Sequence, residues 1–210
     1  MSADIDELIQ KLDDLPKLIN KGTGAGGANT NMNGLAYENK TSIETVLIKN
    51  NYKKYIFNKT KCGYYYKCDL SDKITVMYFT QSGLKNYFKK KYNIEIHRNP
   101  DEAFLIKNDG NYILKILEKK NQNTEGSVED KLKTGCFNRR EYELMIGDII
   151  DNCPIKIEYA FSISKFLQDK FTSTINKYII MKKIMDEDNI KIFYGNDSDY
   201  FDKIIKWISE

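Results

Sequence analysis

Two apolar runs on either side of Asp109-Gly110 constrain this chain more than any other feature. Phe104-Leu105-Ile106 precedes the pair, and Ile113-Leu114-Lys115-Ile116-Leu117 follows it. Apolar runs flanking Asp-Gly are a strong short-range hairpin signal. With the turn at that pair, residues equidistant from it face each other: Leu105 and Leu114, Ala103 and Ile116, Asp101 and Glu118. Directly opposed side chains share a face, with Cβ atoms roughly 5 Å apart. Lys120 lies two positions beyond Glu118, so strand alternation puts it on that face as well.

Two carboxylates opposed in a sheet repel each other. A divalent cation between them relieves that cost. Oxygen ligands suit Mg²⁺, which takes one or two carboxylates together with water and phosphate oxygens. A lysine beside it can position an attacking water or stabilise charge on a phosphoryl group. Asp101, Glu118 and Lys120 therefore read as a site for metal-assisted phosphodiester hydrolysis.

The run Pro100-Asp101 … Glu118-Lys119-Lys120 resembles the PD-(D/E)xK nuclease superfamily, whose pattern is proline-aspartate, a variable gap, then acid-x-lysine on the next strand. The resemblance implies a restriction-endonuclease-like core with Mg²⁺ held by Asp101 and Glu118 and water positioned by Lys120. Lys119 departs from the pattern, because an apolar residue is commoner there. It is expected to point away from the metal side, leaving only its backbone carbonyl as a metal ligand. Glu38 matches the acid that many such nucleases carry on the helix before the sheet, and is a possible further ligand. The segment Gly24 to Asn31, followed by Asn33-Gly34-Leu35-Ala36-Tyr37-Glu38, is similar to segments of some type II restriction endonucleases.

Composition removes several rivals. His97 is the sole histidine, which argues against Ser-His, Cys-His and histidine-metal hydrolases. Cys62, Cys68, Cys136 and Cys153 match no zinc spacing, and read as free thiols in a reducing, cytoplasmic compartment. No apolar stretch is long enough to span a membrane, and the N-terminus lacks a signal-peptide core. The glycine-rich segment is not a P-loop, since no Gly-Lys-Ser/Thr follows. Net charge is only +3, so a basic cleft on a near-neutral surface is what DNA binding requires here.

Along the chain, residues 1–21 read as an amphipathic helical arm, with Ile5, Leu8, Ile9, Leu12, Leu15, Leu18 and Ile19 at helical spacing. Residues 22–210 read as one nuclease domain that opens with a Gly/Asn-rich loop, 22–34. A helix is expected from Leu35 to about Asn50. Tyr-rich strands follow between Lys54 and Thr80, then a basic helix from about Ser82 to Tyr92. Beyond the hairpin, Ser127 is an N-cap for a helix from Val128 to Lys133, and a second helix covers about Asn138 to Ile149. A strand from Ile155 to Ile163 comes next. Lys165 to Asp186 is mostly helical, with Phe166, Leu167, Phe171, Ile175, Tyr178 and Ile179 buried. The chain then gives a strand at Ile190 to Tyr194 and a helix from Asp197 to Ser209. Gly26, Gly27, Asn29, Asn31, Asn33, Gln122, Asn123, Arg139 and Arg140 are the candidate DNA contacts, through close backbone approach, amide recognition of bases and guanidinium clamps.

The expected fold is α/β, a mixed central sheet flanked by helices, with the hairpin at one end. The expected activity is Mg²⁺-dependent cleavage of double-stranded DNA at a specific sequence. The resemblance implies products with 5′-phosphate and a homodimer matching a palindromic site. A repair, recombination or structure-specific nuclease of the same superfamily stays open, as does a non-catalytic DNA-binding domain on a nuclease-like fold.

Overall fold

The computed structural model describes residues 27–59, 61–122, 128–146 and 153–210. Its centre is a seven-stranded sheet whose spatial order follows the chain. Strands β1 (Lys53–Ile56), β2 (Tyr64–Asp69), β3 (Ile74–Thr80), β4 (Glu102–Asn108) and β5 (Asn111–Lys120) form an antiparallel meander. Strands β6 (Ile155–Ile163) and β7 (Ile190–Tyr194) then add in parallel, as helical crossovers allow. The molecule is thus α/β with a mixed open sheet.

The β4–β5 turn has the chemistry its sequence requires. Asp109 and Gly110 have φ of 48° and 87°, the positive pair of a two-residue hairpin turn. Asn108 pairs with Asn111, Leu105 with Leu114 and Ala103 with Ile116, as the sequence predicts. The hairpin lies in the middle of the sheet rather than at one end, because β6 and β7 extend the sheet beyond β5.

Alternation along β4 and β5 divides the core in two. Ala103, Leu105, Leu114 and Ile116 face one layer, with Leu84, Tyr87 and Phe88 of α3 (Gly83–Tyr92) and Tyr142 and Ile146 of α5 (Gly135–Ile146). Leu132 of α4 (Val128–Lys133), Leu167 and Phe171 of α6 (Lys165–Phe171), and Tyr178, Met181 and Met185 of α7 (Asn176–Glu187) complete that layer. Phe104, Ile106 and Leu117 face the other layer, with Ile43, with Leu47 of α2 (Glu44–Lys49), and with Tyr200, Ile204, Trp207 and Ile208 of α8 (Tyr200–Ser209). A β-carbon at Gly135 would stand 2.7 Å from the Phe161 ring, so glycine is what lets α5 approach β6 this closely.

Several expectations need correction. The described part of the Gly/Asn-rich stretch is helix: α1 runs Gly27–Lys40, and α2 is separate from it. The stretch carries no apolar period, and Gly and Asn are weak helix formers, so pattern and propensity both understate it. The two helices part after Thr41, whose N–H makes the last i→i−4 bond, to Tyr37 O; Ser42 N–H turns to Asn39 O, and Ile43 is fully buried in the core. Lys165 to Asp186 is two helices, and Ile175 and Ile179 are about half exposed instead of buried. The arm at residues 1–21, and with it the loop residues 22–26, lie outside the described residues.

Candidate active site

Asp101 precedes β4 by one residue, and extending the observed register sets it opposite Glu118. Its Oδ2 accepts the Lys119 backbone N–H at 2.6 Å, so the carboxylate continues the hairpin ladder where the strand backbone has ended. Glu118 Oε2 accepts from the Lys120 ammonium at 2.8 Å. Both side chains of that pair are mostly buried. Burial pushes the Glu118 carboxyl above the ordinary range; Lys120 opposes this and the charge of Asp101 adds to it.

Helix α1 brings the third acid. Glu38 sits in its last turn, half-buried. Its carboxyl is raised by burial first and by Asp101 second, with Lys119 and Lys120 pulling the other way. Tyr37 anchors the same turn to β6 through a 3.1 Å hydrogen bond to Ser162 Oγ, and Asn121 Nδ2 donates to Asn33 O at 2.8 Å. A cavity of about 250 Å³ opens here, with Glu38, Asp101, Glu102, Lys119, Thr80 and Gln81 in its wall.

On the opposite sheet face Lys119 is buried as an ion pair. Its ammonium donates to Glu102 Oε1 at 2.9 Å and to Glu38 O at 3.1 Å. Glu102 Oε1 also accepts from Tyr78 OH at 2.9 Å and Ile43 N at 3.2 Å. The sequence reading missed Glu102. The signal was present in part: Glu102, Lys115 and Lys119 are charges on a hairpin face whose Phe104, Ile106, Ile113 and Leu117 are apolar. It also missed Arg98, which pairs with Glu141 and whose charge lowers the Glu118 carboxyl, and the buried Tyr142, whose hydroxyl feels Glu118.

The candidate DNA contacts scatter. Arg139 and Arg140 do not join the acids. They line a separate cavity of about 930 Å³ beside Ile155, Lys156 and Trp207. That is the start of β6, whereas Glu118 and Lys120 pair with Phe161 and Ile163 at its far end. Arg139 donates to Asp188 O, and Arg140 pairs with Glu143. Gln122 is buried, with its N–H and C=O both bonded to Ser164 Oγ. Asn33 is exposed, and Gly27, Asn29 and Asn31 lie on α1. Gly26 and Asn123 are outside the described residues.

Among the described residues, no group of three His, Cys, Asp or Glu side chains is arranged to hold a metal ion. The donor set is nonetheless chemically suited to Mg²⁺, which needs only one or two carboxylates and completes its shell with water. All four cysteines are free thiols. No described helix is long and apolar enough to cross a membrane. No protein-family model, curated protein or solved structure matches the chain.

Proposed function

We propose that the protein is a Mg²⁺-dependent DNA endonuclease of the PD-(D/E)xK kind, most like a type II restriction enzyme. One observation carries the reading: the hairpin register that aligns Asp101 with Glu118 and puts Lys120 on their face. Element order supports it, since an acid-bearing helix, an antiparallel hairpin with the motif, and a parallel strand reached through helices suit a restriction-endonuclease-like core. Asp101 and Glu118 would hold Mg²⁺, with Lys119 O and Glu38 as further oxygen donors. Bound there, the ion supplies positive charge to a phosphoryl group during displacement.

The chain's own residues do the rest. Lys119 N–H fixes the Asp101 carboxylate. Glu118 holds the Lys120 ammonium on the reacting face, where it can donate to a water or to a phosphate oxygen. Partial burial strengthens each of these contacts. Double-stranded DNA is the proposed substrate, and a homodimer the proposed assembly for a palindromic site.

The test is digestion of plasmid and genomic DNA with Mg²⁺ by wild type and Asp101→Ala. Discrete fragments from wild type alone are expected. Equal, metal-independent behaviour of both proteins contradicts the reading. Cleavage confined to flaps or junctions transfers it to a structure-specific nuclease.

A further inference from the structure

We propose that the buried Lys119–Glu102 pair is the positioning device that sets Glu38 beside Asp101, an inference that rests on the nuclease reading of this site. The last carbonyls of a helix lack intrahelical partners. At the end of α1, Tyr37 O is taken by Thr41, Asn39 O by Ser42 N, and Glu38 O by the Lys119 ammonium. A cation there also complements the helix dipole. The same ammonium is tied to Glu102 Oε1, which Tyr78 of β3 and Ile43 also hold. One carboxylate oxygen thus joins strand β3, the hairpin and the start of α2, and through Lys119 the end of α1.

Lys119 grips both acids by different atoms. Its backbone N–H holds the Asp101 carboxylate, and its side chain holds the Glu38 backbone. The residue that departs from the motif is therefore the one that fixes the spacing between two candidate ligands. Stability alone does not account for the charged pair. Phe104, Ile106 and Leu117 fill the same face, and buried ion pairs commonly stabilise no more than apolar residues of like shape. What an apolar pair would lack is the charged donor for Glu38 O, leaving only the long 3.5 Å contact from the Thr41 hydroxyl.

The full-length variant Lys119→Met/Glu102→Gln tests this. It removes the ammonium, leaves no unpaired buried charge, and keeps an amide oxygen for Tyr78 and Ile43. For Mg²⁺-dependent plasmid cleavage, kcat should fall roughly tenfold, as for slight misplacement of a reacting group, with KM little changed. Amide exchange should quicken over residues 38–43 and not over residues 103–117. In a Glu38→Ala background the same pair of substitutions should cost nothing further, because the pair acts through Glu38. A full additional loss in that background, or an unchanged kcat, overturns the inference. If the paired variant does not fold, Glu102→Gln alone should give the same exchange pattern with a smaller loss in kcat, and unaltered exchange overturns the inference. If wild type cleaves no DNA, the nuclease reading fails by itself. Exchange then decides: quickening confined to residues 38–43 keeps the clamp, and no quickening removes it.

Discussion

Lys115 lies in the middle of β5 with 0 % of its surface exposed, and its ammonium is held by Glu158 at 3.2 Å and by Trp207 O. Burial would raise the Glu158 carboxyl, but Lys156 and Lys115 outweigh it and hold that carboxyl below the ordinary range. A carboxylate with a lowered folded pKa stabilises the fold above its unfolded pKa, and that contribution is lost as pH falls through the folded value. Glu158→Gln should cost about 3 kcal/mol at pH 7 by leaving a buried lysine without its counter-charge. The cost should shrink below about pH 4, as urea denaturation against pH would measure. Cys136 offers a second test. Burial, with Asp188 accepting from its sulfur at 2.7 Å, pushes the thiol up to about 11. At pH 8 only roughly one molecule in a thousand carries the thiolate, so iodoacetamide should label Cys136 slowly, and faster in Asp188→Asn. At this scale the sequence reveals which charges sit on a strand face, as for Asp101, Glu118 and Lys120. It does not reveal which charge a distant element will cover. Lys119 and Lys115 became buried because α1 and α8 pack over them, and those contacts have no local signature.

The elements were legible in proportion to how local their causes are. The β4–β5 hairpin needs only its turn and its alternation, and its register follows from them. Gly110 has open space around it, so Gly110→Ala isolates the cost of a positive φ. That substitution should destabilise by about 1–2 kcal/mol, read as a lower urea midpoint with an unchanged slope. Strand β6 was legible from its apolar run for a similar reason. The part of helix α1 before Leu35 was not, since its sequence reads as a loop and the helix is held by tertiary bonds: Tyr37 to Ser162, Asn121 to Asn33 and Lys119 to Glu38. Arg139 and Arg140 were assigned to DNA from residue type alone. Their helix carries them to the start of β6 and into a different cavity.

For the whole molecule, the site lies at the open end of the central β4–β5 hairpin, with one core layer on each face of the sheet. The face of Glu118 and Lys120 belongs to the layer of α3 and α5, and Glu38 arrives on α1, whose end is held by Lys119 from the other face. A rigid sheet between two packed layers suits a site whose acids must stay close despite repulsion. The central claim is that the opposed acids make a Mg²⁺-dependent nuclease. The rate of supercoiled-plasmid linearisation against Mg²⁺ concentration, for wild type and Glu118→Gln of matched Tm, tests it most directly. Wild type should saturate with Mg²⁺ and stop on chelation, and Glu118→Gln should be slower by about a hundredfold or more. Equal rates for the two proteins, or wild-type cleavage indifferent to Mg²⁺, would contradict the account.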